Sequence, residues 1–90
     1  MITVHFTSLL NRFFPDLKPE SVEANTVCEL LVELDKLYPG LSGYLIEENG
    51  RLRKHVNIFV NGEMISDRES LQDVLKDNDE VNIIQALSGG

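Results

Sequence analysis

Ninety residues with 42% hydrophobic side chains, a net charge of −7 and a single cysteine leave room for one small domain with a thin core. The cysteine count excludes an internal disulfide framework, a four-cysteine zinc site and an iron–sulfur cluster; eight basic against fifteen acidic side chains repel phosphate backbones and suit a basic protein partner. No apolar run reaches the ~20 residues of a membrane span and "MITVHF" lacks the basic start of a signal peptide, so a cytoplasmic protein binding neither nucleic acid nor membrane is expected.

The first element, "ITVHF", alternates Ile2, Val4 and Phe6 against Thr3 and His5, the pattern of a half-buried strand. In "TSLLNRFFPDLKPE", Pro15 and Pro19 argue against a continuous helix, and Leu9, Leu10, Phe13, Phe14 and Leu17 are expected to fold back over the core edge. "SVEA" reads as a short strand returning antiparallel to the first. "NTVCELLVELDKLYPG" is the clearest helix: Thr26 and Glu29 have capping-box spacing, and Pro39-Gly40 ends it. Its apolar face is expected to carry Val27, Leu30, Leu31, Leu34, Leu37 and Tyr38, opposite Glu29, Glu33 and Lys36.

Leu41, Tyr44 and Leu45 suggest a further helical turn, and Asn49-Gly50 marks a loop. "VNIFVNGEMI" gives a strand, an Asn61-Gly62 hairpin turn and a return segment. "DRESLQDVLKDNDE" offers a short helical turn carrying Leu71, Val74 and Leu75, then a polar turn before the last strand, "EVNIIQAL". An amphipathic helix must bury its stripe against a sheet with one apolar face. The order therefore predicts an α+β fold, a mixed four- to five-stranded sheet packed on one main helix with the first and last strands parallel at its centre. That is the β-grasp arrangement of ubiquitin, with residues 1–86 as the domain and 87–90 as a flexible tail.

The tail, "QALSGG", ends on two glycines, a combination that average composition makes rare. It is either an idle flexible end or cloning remnant, or a thin end made to enter a narrow channel, because glycine lacks a Cβ and takes unusual backbone angles. Extended, Leu87 to Gly90 reach about 13 Å past the body. A carboxylate at that point is a poor electrophile until it is activated, for example as an acyl-adenylate made from ATP.

"VNIFVNGE", the "DNDEVNII" turn and strand, and the closing "SGG" together resemble the MoaD/ThiS family of ubiquitin-like sulfur carriers. Its members include the small subunit of molybdopterin synthase, the thiamine-thiazole sulfur carrier and a carrier of mycobacterial cysteine synthesis. The resemblance runs over essentially the whole chain, with "TVCELLVELDKLYPGL" as the family's central helix. It implies that a partner adenylyltransferase resembling ubiquitin-activating enzymes uses ATP to adenylate the Gly90 carboxylate. A persulfide sulfur then displaces AMP, and the thiocarboxylate delivers sulfur to an accepting synthase or large subunit. Ser88 and Gly89 would line the threading channel, the chain would act as a co-substrate rather than an enzyme, and it would bind no cofactor of its own. Molybdopterin synthase small subunits usually carry proline where this chain has Gln85-Ala86, and "DNDEV" stands for the commoner "DGDEV". The recipient, in molybdopterin, cysteine or thiamine synthesis, stays open.

Strand parity supplies a partner surface: Val56, Ile58, Val60, Val81 and Ile83 point to the helix, so Phe59, Ile84 and Ala86 point outward, beside Leu87. Single exposed apolar residues are ordinary, which is the competing reading. Cys28, near the helix start, is read as a partly packed small residue in preference to a redox site, and His5 as solvated or interfacial, with no carboxylate recognisable beside it. Asp77, Asp79 and Glu80 lack the ligand count of a calcium loop and read as a solvated turn, so no metal site is expected. Two rivals stand beside the carrier: a ubiquitin-like modifier conjugated through Gly90, and a plain binding module with an idle tail.

Overall fold

The computed structural model describes residues 1–85. Strand β1 (Ile2–Phe6) leads through a 3-10 turn at Ser8–Arg12 into β2 (Glu20–Val22), then helix α1 (Val27–Leu37) and the short helix α2 (Leu41–Leu45). Strands β3 (Val56–Val60), β4 (Glu63–Met64) and β5 (Glu80–Gln85) complete one sheet, ordered β2-β1-β5-β3-β4. Five strands are thus present among the described residues, and β1 and β5 pair in parallel at the centre, Val4 beside Val81 and Phe6 beside Ile83. Every other pairing is antiparallel. The arrangement is the β-grasp expected from the element order.

Strand alternation decides what is buried. Ile2, Val4, Val56, Ile58, Val81 and Ile83 are buried from the sheet and meet Val27, Leu30, Leu31 and Leu34 of α1 in one core. Thr26 caps the helix, its Oγ accepting from the Glu29 N–H at 3.2 Å. The Glu29 carboxylate reaches back one residue further than a capping box requires, to the N–H of Asn25 at 2.9 Å. Leu37 departs from expectation: it is 50% exposed, because it lies about 60° around the helix from Leu34, at the margin of the stripe. Tyr38 is only half-buried; its ring meets Phe6 edge-on at 6.4 Å and its hydroxyl donates to the Glu20 carboxylate.

The expected helical turn around Leu71 is absent from the described secondary structure. Leu71 and Leu75 are buried, but Val74 is 70% exposed. Leu71 holds a left-handed φ of 57°, which breaks a helical path, and Asp67 diverts the neighbouring donors by accepting from the N–H groups of Glu69, Ser70 and Gln72. The loop instead serves α1: Leu71 and Asp73 carbonyls accept from the Cys28 and Val27 N–H groups at 2.7 and 3.1 Å, two of the donors a helix start leaves orphaned. Between Phe6 and β2, Leu10 and Leu17 are buried and Phe14 packs on the core. Phe13 stays 52% exposed, stacked on Tyr44 at 4.7 Å.

Candidate functional site

Strand β5 sits at the middle of the sheet, between β1 and β3. Its last described residue, Gln85, is held on both sides. It is the register partner of Val56 on β3, and its N–H donates to Thr7 Oγ at 3.3 Å. Thr7 in turn donates its own N–H to the Ile83 carbonyl at 3.2 Å. The Gln85 side-chain carbonyl is buried with no donor among the described residues. Ala86, Leu87, Ser88, Gly89 and Gly90, the tail and most of its expected site residues, lie outside the described residues.

The two other expected contact residues come together on the face of the sheet away from α1. Phe59 pairs with Asn82, and Ile84 with Asn57, so the two apolar side chains are diagonal neighbours, within reach of one another. Phe59 is half-buried and Ile84 is 37% exposed. Sequence parity overlooked a third member: Met64, 51% exposed, pairs with Phe59 across the β3–β4 hairpin. The signal was available in Asn61-Gly62, whose φ values of 51° and 86° are those of a two-residue type I′ turn; that turn length places Met64 opposite Phe59.

Polar groups frame this apolar diagonal. Arg68 donates one guanidinium nitrogen to the Asn57 side chain at 3.0 Å and another to the carbonyls of Arg53 and Val56 at 2.8 and 2.9 Å, which fixes the start of β3. His5 Nε2 lies 3.4 Å from a Glu80 carboxylate oxygen, so the histidine has the acidic neighbour that the sequence did not disclose. The neighbour comes from β5, next to β1 only through the parallel pairing of Thr3 with Glu80.

At the opposite end of β5, the expected solvated turn is a hydrogen-bonded one. Asn78 holds a φ of 72°, the left-handed position that asparagine tolerates. Asp79 accepts from the Lys76 N–H and from the Asn61 side chain, both at 2.8 Å, and these bonds, the Lys76 one first, hold its carboxyl below the usual carboxylate range. Asp77 instead meets the Met1 amino group. Among the described residues no three His, Cys, Asp or Glu side chains converge as metal ligands, and no helix is long and apolar enough to cross a membrane. Cys28 is half-buried against the core and borders a hollow of about 300 Å³ with Leu31, Val32 and Ser42, on the α1 side of the molecule.

Comparison with known proteins places this geometry. Residues 6–90 match the ThiS family. The sulfur carrier protein CysO of Mycobacterium tuberculosis is 30% identical over 91 residues, spanning 99% of this chain and 98% of that protein. Small archaeal modifier protein 3 of Haloferax volcanii is 35% identical over 65 residues, 72% of this chain and 70% of that protein. Among solved structures, the BexX/CysO complex of Amycolatopsis orientalis contains a chain that superposes with a TM-score of 0.85 at 25% identity, over 100% of both chains.

Proposed function

The chain belongs to the ThiS family, small carrier proteins that serve as substrates rather than catalysts, and we propose that it is a sulfur carrier activated at Gly90. A partner adenylyltransferase consumes ATP to form the Gly90 acyl-adenylate and pyrophosphate. A persulfide sulfur attacks the carbonyl carbon, AMP leaves, and reductive cleavage of the S–S bond by a thiol leaves the thiocarboxylate. This group, a better nucleophile than a carboxylate, delivers sulfur to an accepting enzyme of cofactor or amino-acid biosynthesis. The observation that carries the reading is that the family match runs from residue 6 through Gly90, so the tail is inside the matched unit. The position of β5 at the centre of the sheet supports it, since a central strand gives the tail a fixed point of departure.

In this reading Ser88 and Gly89 thread the enzyme's channel, because they are the small residues there. Phe59, Ile84, Ala86 and Leu87 meet the partner's surface, and no cofactor is held by the chain itself. In the Amycolatopsis orientalis BexX/CysO complex, CysO is found together with a second protein, BexX, which is the kind of association proposed. The decisive measurement is the intact mass after incubation with ATP, a sulfur donor and the cognate adenylyltransferase. Exchange of one oxygen for sulfur at Gly90 is expected; adenylation without that exchange overturns the carrier role.

The similarity to a small archaeal modifier protein favours one second reading, conjugation of Gly90 to lysines of other proteins. It uses the same adenylate but a different nucleophile, an amine in place of sulfur. Isopeptide-linked Gly-Gly remnants on target lysines would mark it.

A further inference from the structure

The hydrogen bonds around β5 show to which side each of its residues presents its main chain. On β3, the Ile58 carbonyl, opposite Ile83, accepts from Ile65 just past β4, and the Val56 carbonyl, opposite Gln85, accepts from Arg68. Neither points at β5. Ile83 correspondingly turns its carbonyl toward β1, where the Thr7 N–H donates to it at 3.2 Å, and Gln85, two residues on, turns its N–H to the same side. β1, however, ends at Phe6, so no residue of that strand is left to receive this last donor.

Thr7 receives it, but not with the atom a ladder uses. In a regular parallel pair the acceptor would be the Thr7 carbonyl. That carbonyl is taken by the Leu10 N–H at 3.2 Å, the bond that opens the 3-10 turn at Ser8–Arg12. The hydroxyl replaces it, Thr7 Oγ accepting from the Gln85 N–H at 3.3 Å. Thr7 is also the residue that precedes the turn, a position where a threonine oxygen ordinarily caps the turn's own N–H groups; here its side chain makes no such bond. A capping oxygen is thus diverted from its own turn to the end of the central strand.

We infer that Thr7 is a positioning residue for the chemistry at Gly90, its hydroxyl keeping Gln85 in the sheet so that the tail starts from one fixed residue. The inference rests on the carrier reading and adds to it a residue that acts through Gln85 and not on the reacting atoms. Gly90 follows Gln85 by five residues in the sequence, so the reach of its carboxylate is counted from the point where the sheet releases the chain. A residue lost from the end of β5 moves that point by about 3.3 Å, and a channel of fixed length does not follow it. With the acceptor gone, the Gln85 N–H turns to water and the strand end opens. Only the molecules in which Gln85 is paired then present the tail correctly, and their fraction scales the apparent affinity. Preorganisation of this kind changes how much carrier is needed and leaves the chemical step alone.

The test compares, in the full chain, Thr7→Val, which keeps the branched shape and removes the acceptor, with Thr7→Ser, which restores it. Amide hydrogen exchange of Gln85 is measured beside KM and kcat for Gly90 adenylation by the cognate adenylyltransferase at saturating ATP. Thr7→Val is expected to speed Gln85 exchange about fivefold, the worth of one ordinary hydrogen bond, with Val81 and Ile83 exchanging as before. The KM for the carrier should rise about three- to fivefold at unchanged kcat, and Thr7→Ser should return both values toward those of the unaltered chain. An unchanged KM beside a faster Gln85 amide would overturn the inference while leaving the carrier reading in place. So would a Gln85 amide that stays protected in Thr7→Val, or a lower kcat at unchanged KM. Faster exchange at Val81 and Ile83 as well, with KM raised in proportion, would make Thr7 a residue of the fold only and also overturn it. No adenylation of the unaltered chain would remove the carrier reading and the inference together.

Discussion

The Cys28 N–H donates to the Leu71 carbonyl at 2.7 Å, and Leu71 makes that bond from a left-handed φ of 57° while its side chain is buried, with an exposure of 2%. The strained residue is thus where α1 receives one of its missing caps. A left-handed non-glycine residue costs about 1–2 kcal/mol, and burial of the leucine side chain, about 1.5–3 kcal/mol, offsets it.

Truncating Leu71 should therefore invert the usual ranking of alanine over glycine. Leu71→Ala loses the buried side chain and keeps the strain, for a loss of about 2–5 kcal/mol. Leu71→Gly loses the same side chain but relieves the backbone, and should be more stable than the alanine variant by about 1 kcal/mol. Urea unfolding of the two variants measures the difference. An alanine variant that is the more stable of the two would remove the strain.

The outer-face diagonal predicts a separation between binding and folding. Phe59→Asp and Ile84→Asp place a charge on the face away from α1, where Phe59 is half-buried and Ile84 is exposed. Surface substitutions usually change stability by about 0.5 kcal/mol or less, whereas removing an anchor of an interface costs about 2 kcal/mol or more of affinity. Calorimetric titration against the proposed adenylyltransferase partner should show at least a tenfold loss with the melting temperature little changed. Unchanged affinity in both variants would take the diagonal out of the partner surface.

How far the sequence was legible depends on the range of the interaction that decides each feature. Local signals were readable: the Thr26 cap, the Asn61-Gly62 turn, the left-handed Asn78 and the parity of β3 and β5 all follow from residues within a few positions of one another. The failures share a cause. The loop around Leu71 carries apolar spacing suited to a helical turn, yet its backbone groups are claimed by Asp67 and by the start of α1, which lies far earlier in the chain. The His5–Glu80 contact arises only from the parallel pairing of β1 with β5, and the Phe13–Tyr44 stack only from α2 docking on the segment after the 3-10 turn.

Asp67 contributes to the pH dependence, as does Asp79, whose carboxyl is also held below the usual range. The Ser70 N–H above all, then those of Gln72 and Glu69, hold the Asp67 carboxyl below the usual carboxylate range. A carboxylate with a lowered native pKa takes up its proton more readily when unfolded, so its stabilisation is complete above about pH 4, the ordinary aspartate range. It is lost as pH falls through the depressed native value. Asp67→Asn cannot ionise and should flatten the fall in stability between about pH 5 and pH 2. Urea midpoints measured across that range test it, with a curve parallel to that of the unaltered chain as the contrary result.

Removing Gly89 and Gly90 separates the carrier from a binding module with an idle tail. The pairing of β5 with its neighbours is already established from Glu80 to Gln85, and the innermost apolar positions of that strand are Val81 and Ile83. The shortened chain is therefore expected to melt within a few degrees of the full one, a shift of about 1 kcal/mol or less. It should still associate with the proposed adenylyltransferase through Phe59 and Ile84, at reduced affinity, because those contacts precede the tail. On the carrier reading, by contrast, adenylation and sulfur transfer require the Gly90 carboxylate, and the truncation leaves a chain end shorter by about 7 Å when extended. A reacting pair displaced by even 1 Å loses about a hundredfold in rate, so no residual transfer is expected, and none should return at saturating concentrations of the shortened chain. Sulfur delivery by the truncated chain at the full rate would mean that the tail is idle and that the chemistry attributed to Gly90 lies elsewhere.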